Sequence, residues 1–424
     1  FDALEAATAH PDASVRMGVL LAMRRLGRPE IAAFVSDSDP RLVTEAARAI
    51  NDVPISGGLE RLAGLSEKPL DPKNVPLGRR VLNANYRFGT TNTAAALARV
   101  AGRDDAEVYR IEALDALAEW PANSGRDRIT GLWRPTAFAR DSKVPADALK
   151  PVLISVLSTA PNSVRAAAAR AAGTLRIASA GPTLASLVLQ KQGDGAVRSA
   201  ALTALSQLQS PEYGPALAAA QNDPEESVRK TALKLSVEVP PVASAASGAV
   251  SADPTPRLAA VLDSGSLSEK QNAFASLGKV PGAAADSLTR SWMQRLSEGK
   301  VPAELQLDVL DAAAARPELK ALVDQWKAGH AAKGTNDITP WKLALTGGNA
   351  EAGRKVFVER AEVSCTRCHK ISGEGGEVGQ LFTGRQDIRD GMYFWSTTQL
   401  TRSSCHCGCE VRSRHRNSPP ASIH

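Results

Sequence analysis

The stretch "NSVRAAAARAAGTL", residues 162–175, returns twice in altered form: as "GAVRSAALTALSQL" at 195–208 and as "ESVRKTALKLSVEV" at 226–239. The copies align on a Val-Arg pair, and Val164, Val197 and Val228 stand 33 and 31 residues apart. Apolar residues recur every three or four positions, which is the spacing of a helix with one buried face. A second apolar segment lies between copies, so the unit is predicted to be a helix pair.

Weaker copies extend this pattern over most of the chain. They are "ASVRMGVLLAMRRLG" from Ala13, "PRLVTEAARAI" from Pro40, "RRVLNANYRFG" from Arg79, "EVYRIEALDALAEW" from Glu107, "SEKQNAFASLGKVPG" from Ser268 and "PAELQLDVLDAAAARP" from Pro302. Residues 239–256 are rich in Pro, Ala and Ser and predict a flexible linker. We therefore predict helical repeats over 1–238 and 257–340. The pattern resembles HEAT repeats, and the resemblance implies an all-α fold, an α-solenoid.

Composition excludes several classes of protein. Every alanine-rich stretch is interrupted by a charge, so no segment is expected to span a membrane. The net charge is +6, of which residues 380–424 supply +3 from six Arg and three acids. No basic stripe is visible elsewhere, which argues against nucleic acid as a partner. Motifs of metalloproteases, serine hydrolases and P-loop enzymes do not occur in the sequence, and catalytic activity of its own is not expected.

One interruption of the repeat, residues 121–147, is too long for a turn between helices. Long loops in compact arrays are usually functional or disordered. Trp133 and Arg134 lie in it, and these residue types are favoured at protein interfaces. Two interpretations stay open at this point: contact with a partner, or coverage of an exposed helix end by Trp133.

The motif "CTRCH" contains Cys365, Cys368 and His369, and it follows 360 residues without a cysteine. Two thiols three residues apart lie on one side of a helical turn, where they can join the two vinyl groups of a heme. The imidazole behind them can bind the iron. A dithiol redox motif needs only the thiols, and neighbouring residues rarely serve one tetrahedral zinc. We predict covalent heme c, with dithiol and zinc chemistry as the alternatives.

The flanks of this motif carry a second resemblance. "GNAEAGRKVFVERAEVSCTRCHK", residues 348–370, resembles the first helix of small cytochrome c domains, with Asn349 as its cap and Gly353 on the face of Phe357. We predict an incomplete cytochrome c-like segment over 341–379. With "DRITGLWRP" and "ALTGGNAEAGRKVF", the chain resembles bacterial proteins in which HEAT-type repeats precede a terminal c-type heme domain.

That resemblance has functional implications. In such proteins the array often follows a sugar-dehydrogenase-like β-propeller, and the proteins are exported, so a periplasmic or exported location is expected. The expected function is electron transfer from a dehydrogenase domain or a redox partner protein. The alternative is a protein-protein interaction scaffold without functional heme. Of the family's functional residues, Cys365, Cys368 and His369 carry over.

After Gly379 the composition changes, and residues 380–424 are predicted to be an altered end with little regular structure. Met392 is the predicted sixth iron ligand, because a thioether can fill that position. Rival ligands in the same stretch are His406, His415 and His424. Cys405, Cys407 and Cys409 lack a following His, so they are not predicted to form a second heme site; zinc binding stays open for them.

Overall fold

The computed structural model describes residues 2–122, 125–136, 140–239, 253–331 and 342–348, together with short pieces at 353–354, 356–357, 370–371, 374–375 and 381–382. The regular elements of this part are helices, apart from three two-residue strands and one isolated bridge between Arg126 and Trp133, which confirms the predicted all-α solenoid. It divides into two units. One comprises Phe1–Val301 and Asp308–Trp326, and the other comprises Pro302–Leu307 and Lys327–His424.

The α-helices are α1 Asp2–Ala6, α2 Ala13–Arg25, α3 Pro40–Asp52, α4 Leu59–Gly64, α5 Val75–Phe88, α6 Thr91–Gly102, α7 Glu107–Glu119, α8 Lys143–Thr159, α9 Asn162–Thr174, α10 Gly181–Leu189, α11 Gly195–Leu208, α12 Tyr213–Ala220, α13 Glu226–Glu238, α14 Thr255–Ser264, α15 Leu267–Leu277, α16 Ala283–Ser297, α17 Ala303–Ala314, α18 Lys320–Gly329 and α19 Leu343–Thr346. Short 3-10 helices cover Ala7–Ala9, Pro29–Ser36, Ser56–Gly58, Leu65–Glu67, Ala178–Ala180 and Pro317–Leu319.

The helices of the first unit form two layers. The first layer runs α2, α3, α5, α7, α9, α11, α13, α15, each helix packed on the next. In the second layer, the 3-10 helix Pro29–Ser36 packs on α4, α6 on α8, α8 on α10, α10 on α12, and α14 on α16. The first-layer helices include all three Val-Arg segments, and α9, α11 and α13 begin at the residues that open the three aligned copies.

Small side chains let α9 and α11 approach each other closely. Ala168 and Ala172 of α9 and Ala201 of α11 are fully buried. At Gly173 a Cβ would lie 2.8 Å from the Cα of Ala204, so glycine is the residue that this crossing accepts. Each alanine buries little area, at about 25 cal/mol per Å², so stability comes from many such contacts along the array.

The arginine of the Val-Arg pair ties one repeat to its neighbours. The valines Val164, Val197 and Val228 are buried. Arg198 Nε and Nη2 donate to the two carboxylate oxygens of Asp223, at 3.1 and 2.8 Å, and its Nη1 donates to the carbonyl of Gly193. Arg198 thereby holds α11, the turn before it and the turn before α13.

Arg165 instead reaches back to the preceding helix, with Nε donating at 2.8 Å to the carbonyl of Leu157 near the end of α8. In the corresponding position of α2, Arg16 binds both carboxylate oxygens of Asp37 at 2.8 Å. The repeat therefore consists of an alanine-packed helix pair plus one arginine that crosses to a neighbouring turn or helix end.

In the second unit, α19 is followed by helical residues at 353–354 and 356–357 and by a small sheet. The strands are β1 Lys370–Ile371, β2 Glu374–Gly375 and β3 Leu381–Phe382, in the order β2-β1-β3. β1 is antiparallel to β2, with Lys370 opposite Gly375, and parallel to β3, with Lys370 opposite Leu381. Strands β1 and β2 thus lie within residues 341–379, the segment predicted to be cytochrome c-like.

Candidate partner-docking surface

The first layer carries a ladder of ion pairs between successive helices. Its rungs are Arg24–Glu45, Arg80–Asp52 at 2.7 Å, Arg79–Glu112 at 3.3 Å, Arg170–Asp115 at 3.8 Å and Arg229–Glu269 at 2.7 Å. Partly exposed pairs of this kind add little stability each, typically below about 1 kcal/mol. They nevertheless place both signs of charge along one face, which gives that face a specific electrostatic pattern.

A groove of about 640 Å³ opens on this face, among α2, α3 and the start of α5. Met17 and Leu21 of α2 supply apolar surface, while Arg48 and Lys73 lie on its lining. Asn74 Nδ2 donates to Thr44 Oγ1 at 2.8 Å and joins α5 to α3 beside the groove. Because the acids Glu45 and Asp71 also line it, the groove combines apolar surface with charges of both signs, which suits a protein segment.

A second groove, of about 620 Å³, lies among α13, α14 and α15. Arg229, Lys230 and Arg257 line it together with Glu269, which binds Arg229. Burial lowers the pKa of Arg257, whose guanidinium donates to Gln221 Oε1. This groove is more polar than the first.

The long interruption folds back onto the first layer, and Asp127 is its anchor. The Asp127 carboxylate is buried, with Oδ1 accepting from the backbone N–H of Ile129 and Thr130 at 3.0 and 2.9 Å. Oδ2 accepts from Asn83 Nδ2 at 3.1 Å. Burial alone would raise the pKa of Asp127, but the hydrogen bonds from Thr130, Asn83 and Ile129 outweigh burial and lower that pKa below its usual value.

Behind Asp127 a buried polar network links α5 to α3. Asn83 Nδ2 also donates to Asn51 Oδ1 at 2.7 Å, and both asparagines are almost fully buried. Asn51 Nδ2 donates to Asp52 Oδ1 at 2.9 Å, and Arg80 binds both oxygens of the Asp52 carboxylate. Buried networks of this kind hold one geometry, because each unpaired member would carry a desolvation cost.

Two arginines brace the ends of the loop. Arg128 donates from Nε and Nη2 to Glu112 Oε1, at 3.1 and 2.9 Å, and pairs with Glu119, so it holds the loop to α7. Arg134 Nη1 donates to the carbonyl of Asn51 at 2.7 Å, and its Nη2 donates to the carbonyl of Asp52. These carbonyls end α3, where a cation also stabilises the helix dipole. Arg134, a predicted partner contact, therefore holds the loop in place.

Arg140 is held where the chain leaves the loop. Its guanidinium lies 4.5 Å from the ring centre of Tyr86 and 4.7 Å from that of Trp120, and the two rings meet edge to face at 6.1 Å. Its Nη2 donates to the carbonyl of Arg87 at 3.4 Å. A desolvated cation between two rings is worth about 2 kcal/mol or more. Arg140 thus fixes the exit of the loop on α5 and on the end of α7.

Trp133 and Leu132 point away from this anchored base. Trp133 is 69% exposed and Leu132 is 55% exposed. The indole lies against Gly125, whose φ of +71° favours glycine, and a side chain there would collide with the ring. Of the two open interpretations, contact with a partner agrees better with this exposure.

The predicted heme ligands Cys365, Cys368 and His369, the predicted sixth ligand Met392, and the cap Asn349 lie outside the described residues. Of the flanking prediction, Gly353 and Phe357 are helical. Among the described residues, no three His, Cys, Asp or Glu side chains converge in a way that could hold a metal ion. No helix in this described part combines the length and apolar character that crossing a membrane requires.

Several structural residues of the surface were not predicted from the sequence, among them Asp127, Asn83 and Arg140. A signal for Asn83 exists: with Asn85 it stands inside an apolar helical pattern, where asparagine is disfavoured unless it has a partner. Asn85 Nδ2 indeed donates to the carbonyls of Ala63 and Val81. The partners of Asn83, Asn51 and Asp127, lie 32 and 44 positions away, which a pattern of nearby residues does not reveal.

Comparison with known proteins agrees with the repeat. A profile of HEAT repeats matches residues 151–236. No curated protein matches the chain. The crystal structure of an engineered protein aligns at 15% identity over 81% of this chain and 97% of its own, with a TM-score of 0.38.

Two further solved structures align at similar identity. Human deoxyhypusine hydroxylase in complex with glycerol aligns at 18% identity over 56% of this chain and 95% of its own, with a TM-score of 0.24. The complex of CpcE and CpcF of phycocyanin lyase from a Nostoc species aligns at 17% identity over 70% and 94%, with a TM-score of 0.29. These scores are low, so the assignment of HEAT repeats rests on the profile match and on the helix order.

Proposed function

We propose that the helical array is a scaffold that binds another protein on its first-layer face. The observation that carries this proposal is the anchored loop, residues 125–136, which a buried network fixes while Trp133 stays exposed. The groove beside α3, with apolar and charged walls, supports the same proposal. Stacked repeats offer extended surfaces of this kind for protein partners.

Site-specific photo-crosslinking in extracts of the source cells tests the scaffold. A photoreactive amino acid replaces Leu21 in the first-layer groove, and in a matched control it replaces Leu189, which is similarly exposed at the end of α10 in the second layer. The proposal expects one defined protein adduct from the Leu21 position and none from the Leu189 position. The same adducts from both positions, or none from either, would contradict it.

A second function, electron transfer, is favoured by the motif at Cys365, Cys368 and His369. Two thiols and an imidazole are the donor set that covalent heme c needs. The thiols would hold the porphyrin, and His369 would bind the iron; Met392 is our proposed sixth ligand. The heme itself would supply one-electron chemistry, while the protein binds and orients it.

In this proposal the array positions the heme segment against a dehydrogenase domain or another redox partner protein. Attachment of heme c outside the cytoplasmic membrane, as the resemblance implies, leads us to propose a periplasmic or exported location.

Mass spectrometry of the peptide 363–374, which cleavage after Glu362 and Glu374 releases with the whole motif, tests the heme proposal. We expect the peptide from protein made with heme-maturation machinery to carry one heme, and the Cys365→Ser/Cys368→Ser variant to carry none. An unmodified peptide from fully matured protein would contradict electron transfer and leave the scaffold function standing.

A further inference from the structure

We propose that Trp133, Leu132 and Arg126 form a preformed docking point for a protein segment that carries an apolar side chain beside carboxylates. The inference rests on the proposed scaffold function and names the chemistry of the partner. The docking point consists of these three residues.

The apolar part of the docking point is large and exposed. An indole that is 69% exposed leaves apolar area in water, and Leu132 beside it is 55% exposed. Tryptophan is enriched among residues that dominate binding energy, because one rigid side chain buries a large area. Partner contacts with both side chains would remove this area from water.

The geometry of the docking point is fixed before any partner binds. Arg134 N–H donates to the carbonyl of Gly125 at 2.6 Å, and Asp127 N–H donates to the carbonyl of Leu132 at 2.9 Å. Arg126 and Trp133 face each other across this short antiparallel bridge. With one face of the indole against Gly125, the other face is available. A side chain that is already ordered loses little conformational entropy on binding.

The charge of the docking point is positive. The exposed residues of the described loop are Arg126, Gly131, Leu132, Trp133 and Pro135, and none of these is acidic. The one acid in residues 125–136, Asp127, is buried beneath them. Arg126 Nη1 donates to the carbonyl of Gly131 at 3.0 Å, which leaves its charge without compensation from a carboxylate inside the loop. A carboxylate on the partner would complement it.

Single-stranded nucleic acid also stacks on aromatic rings, but it needs a positive groove that follows several phosphates. The described loop exposes one cation, Arg126, and the first-layer ladder next to it pairs its arginines with acids. A protein segment with one or two carboxylates fits this charge better.

Fluorescence anisotropy of dye-labelled peptides with the full chain tests the docking point. The probes are a twelve-residue peptide with a Leu-Phe centre flanked by Glu, one with the same centre flanked by Lys, and one with Glu flanks and a Ser-Ser centre. We expect the first to bind at least tenfold more tightly than the others. Trp133→Ala and Arg126→Glu should each weaken that binding at least tenfold, and Trp133→Phe should retain most of it.

Leu189→Ala and Arg61→Glu are the matched controls, because both side chains are exposed outside the loop and outside the first-layer groove. Neither should change the affinity. Equal binding of the three peptides, no binding of any, or tighter binding of a labelled oligo-dT would overturn the docking point. So would a loss of peptide binding in Leu21→Asp with no effect of Trp133→Ala; in that case the scaffold function would stand and its site would be the groove.

Discussion

Two interfaces within the first layer are built in opposite ways. Helices α9 and α11 meet largely through small residues, among them Ala168, Ala172, Ala201 and Gly173. Around α5 and α7, in contrast, the chain buries Tyr86, Trp120 and an asparagine-carboxylate network under a long loop. Uniform stacking of small side chains thus supplies stability, whereas the irregular region around α5 and α7 builds a surface with one geometry.

The largest effect is expected from Arg198→Ala, which removes the link between repeats in the uniform region. Arg198 and Asp223 are both almost fully buried, so the variant leaves the Asp223 carboxylate without its cation. Loss of one partner of a buried pair costs about 3–5 kcal/mol. Urea unfolding measures this loss of stability. Arg41→Ala, which removes a highly exposed side chain, is the control. A loss of unfolding free energy below about 1 kcal/mol would show that the packing of side chains, without the Arg198–Asp223 pair, holds α11 against the repeat that contains α13.

Asp127→Ala should have the next largest effect on stability, and it acts in the loop region around α5 and α7. The variant removes the acceptor for Ile129, Thr130 and Asn83, and unpaired buried donors cost about 1–3 kcal/mol each before relaxation. We expect a loss of about 2–3 kcal/mol in urea unfolding, with faster tryptic cleavage at Arg126.

Asp104→Ala, at an exposed turn, is the matched control for Asp127→Ala and should stay within about 0.5 kcal/mol of the parent. If the Asp127 variant resists trypsin as well as the parent does, the carboxylate is not the anchor of the loop.

A pair of glycine variants sharpens the contrast between close and open packing. Gly173→Ala places a Cβ 2.8 Å from the Cα of Ala204 and should destabilise by about 1–3 kcal/mol. Gly18→Ala lies in the middle of α2 with open space around it, so it should stabilise by about 0.5–1 kcal/mol. Thermal unfolding of both checks the prediction, and a shift in the same direction for both would refute it.

The smallest effect is the pH dependence of stability to which Asp308 of α17 contributes. Burial, with a contribution from Asp311, raises the pKa of Asp308 to about 6, although Gln271 Nε2 donates to it at 3.4 Å. A carboxyl whose pKa is raised on folding favours the folded state most at low pH, and this contribution is lost between about pH 4 and pH 6.

Asp308→Asn should therefore leave stability at pH 4 nearly unchanged and add about 1 kcal/mol at pH 7.5, because solvent around this partly buried side chain screens most of the effect that the pKa shift alone would give. Urea unfolding at the two pH values measures the difference. An equal change at both values would mean that Asp308 ionises in the folded state as it does in the unfolded chain.

Much of the fold could be predicted from the sequence, because each helix of the repeat is specified by residues that lie close together in the chain. The copies aligned on the Val-Arg pairs begin at the same residues as α9, α11 and α13. At these residues a helix-opening signal and the helical spacing of apolar residues start together. α5 begins at Val75, four residues before the predicted Arg79, because Asn74 caps it with a bond to Leu77 N–H at 3.2 Å. The two-residue strands were not predicted, since so short a strand has no alternation to detect.

The docking surface was predicted only in outline. Trp133 was recognisable by residue type and by the length of its loop. The role of Arg134 was not, because the carbonyls it binds belong to Asn51 and Asp52, more than eighty positions earlier. Contacts of that separation depend on how the repeats stack, and the spacing within one repeat does not contain that information.

Hydrogen exchange of the backbone amides in residues 125–136 tests most directly whether the loop is held as a fixed platform. The amides of Ile129, Thr130, Gly131 and Arg134 all donate within the loop. We predict that these amides exchange at least about a hundredfold more slowly than in an unstructured chain. Exchange of these amides at the unstructured rate would contradict it, because Trp133 would then be presented by a mobile segment.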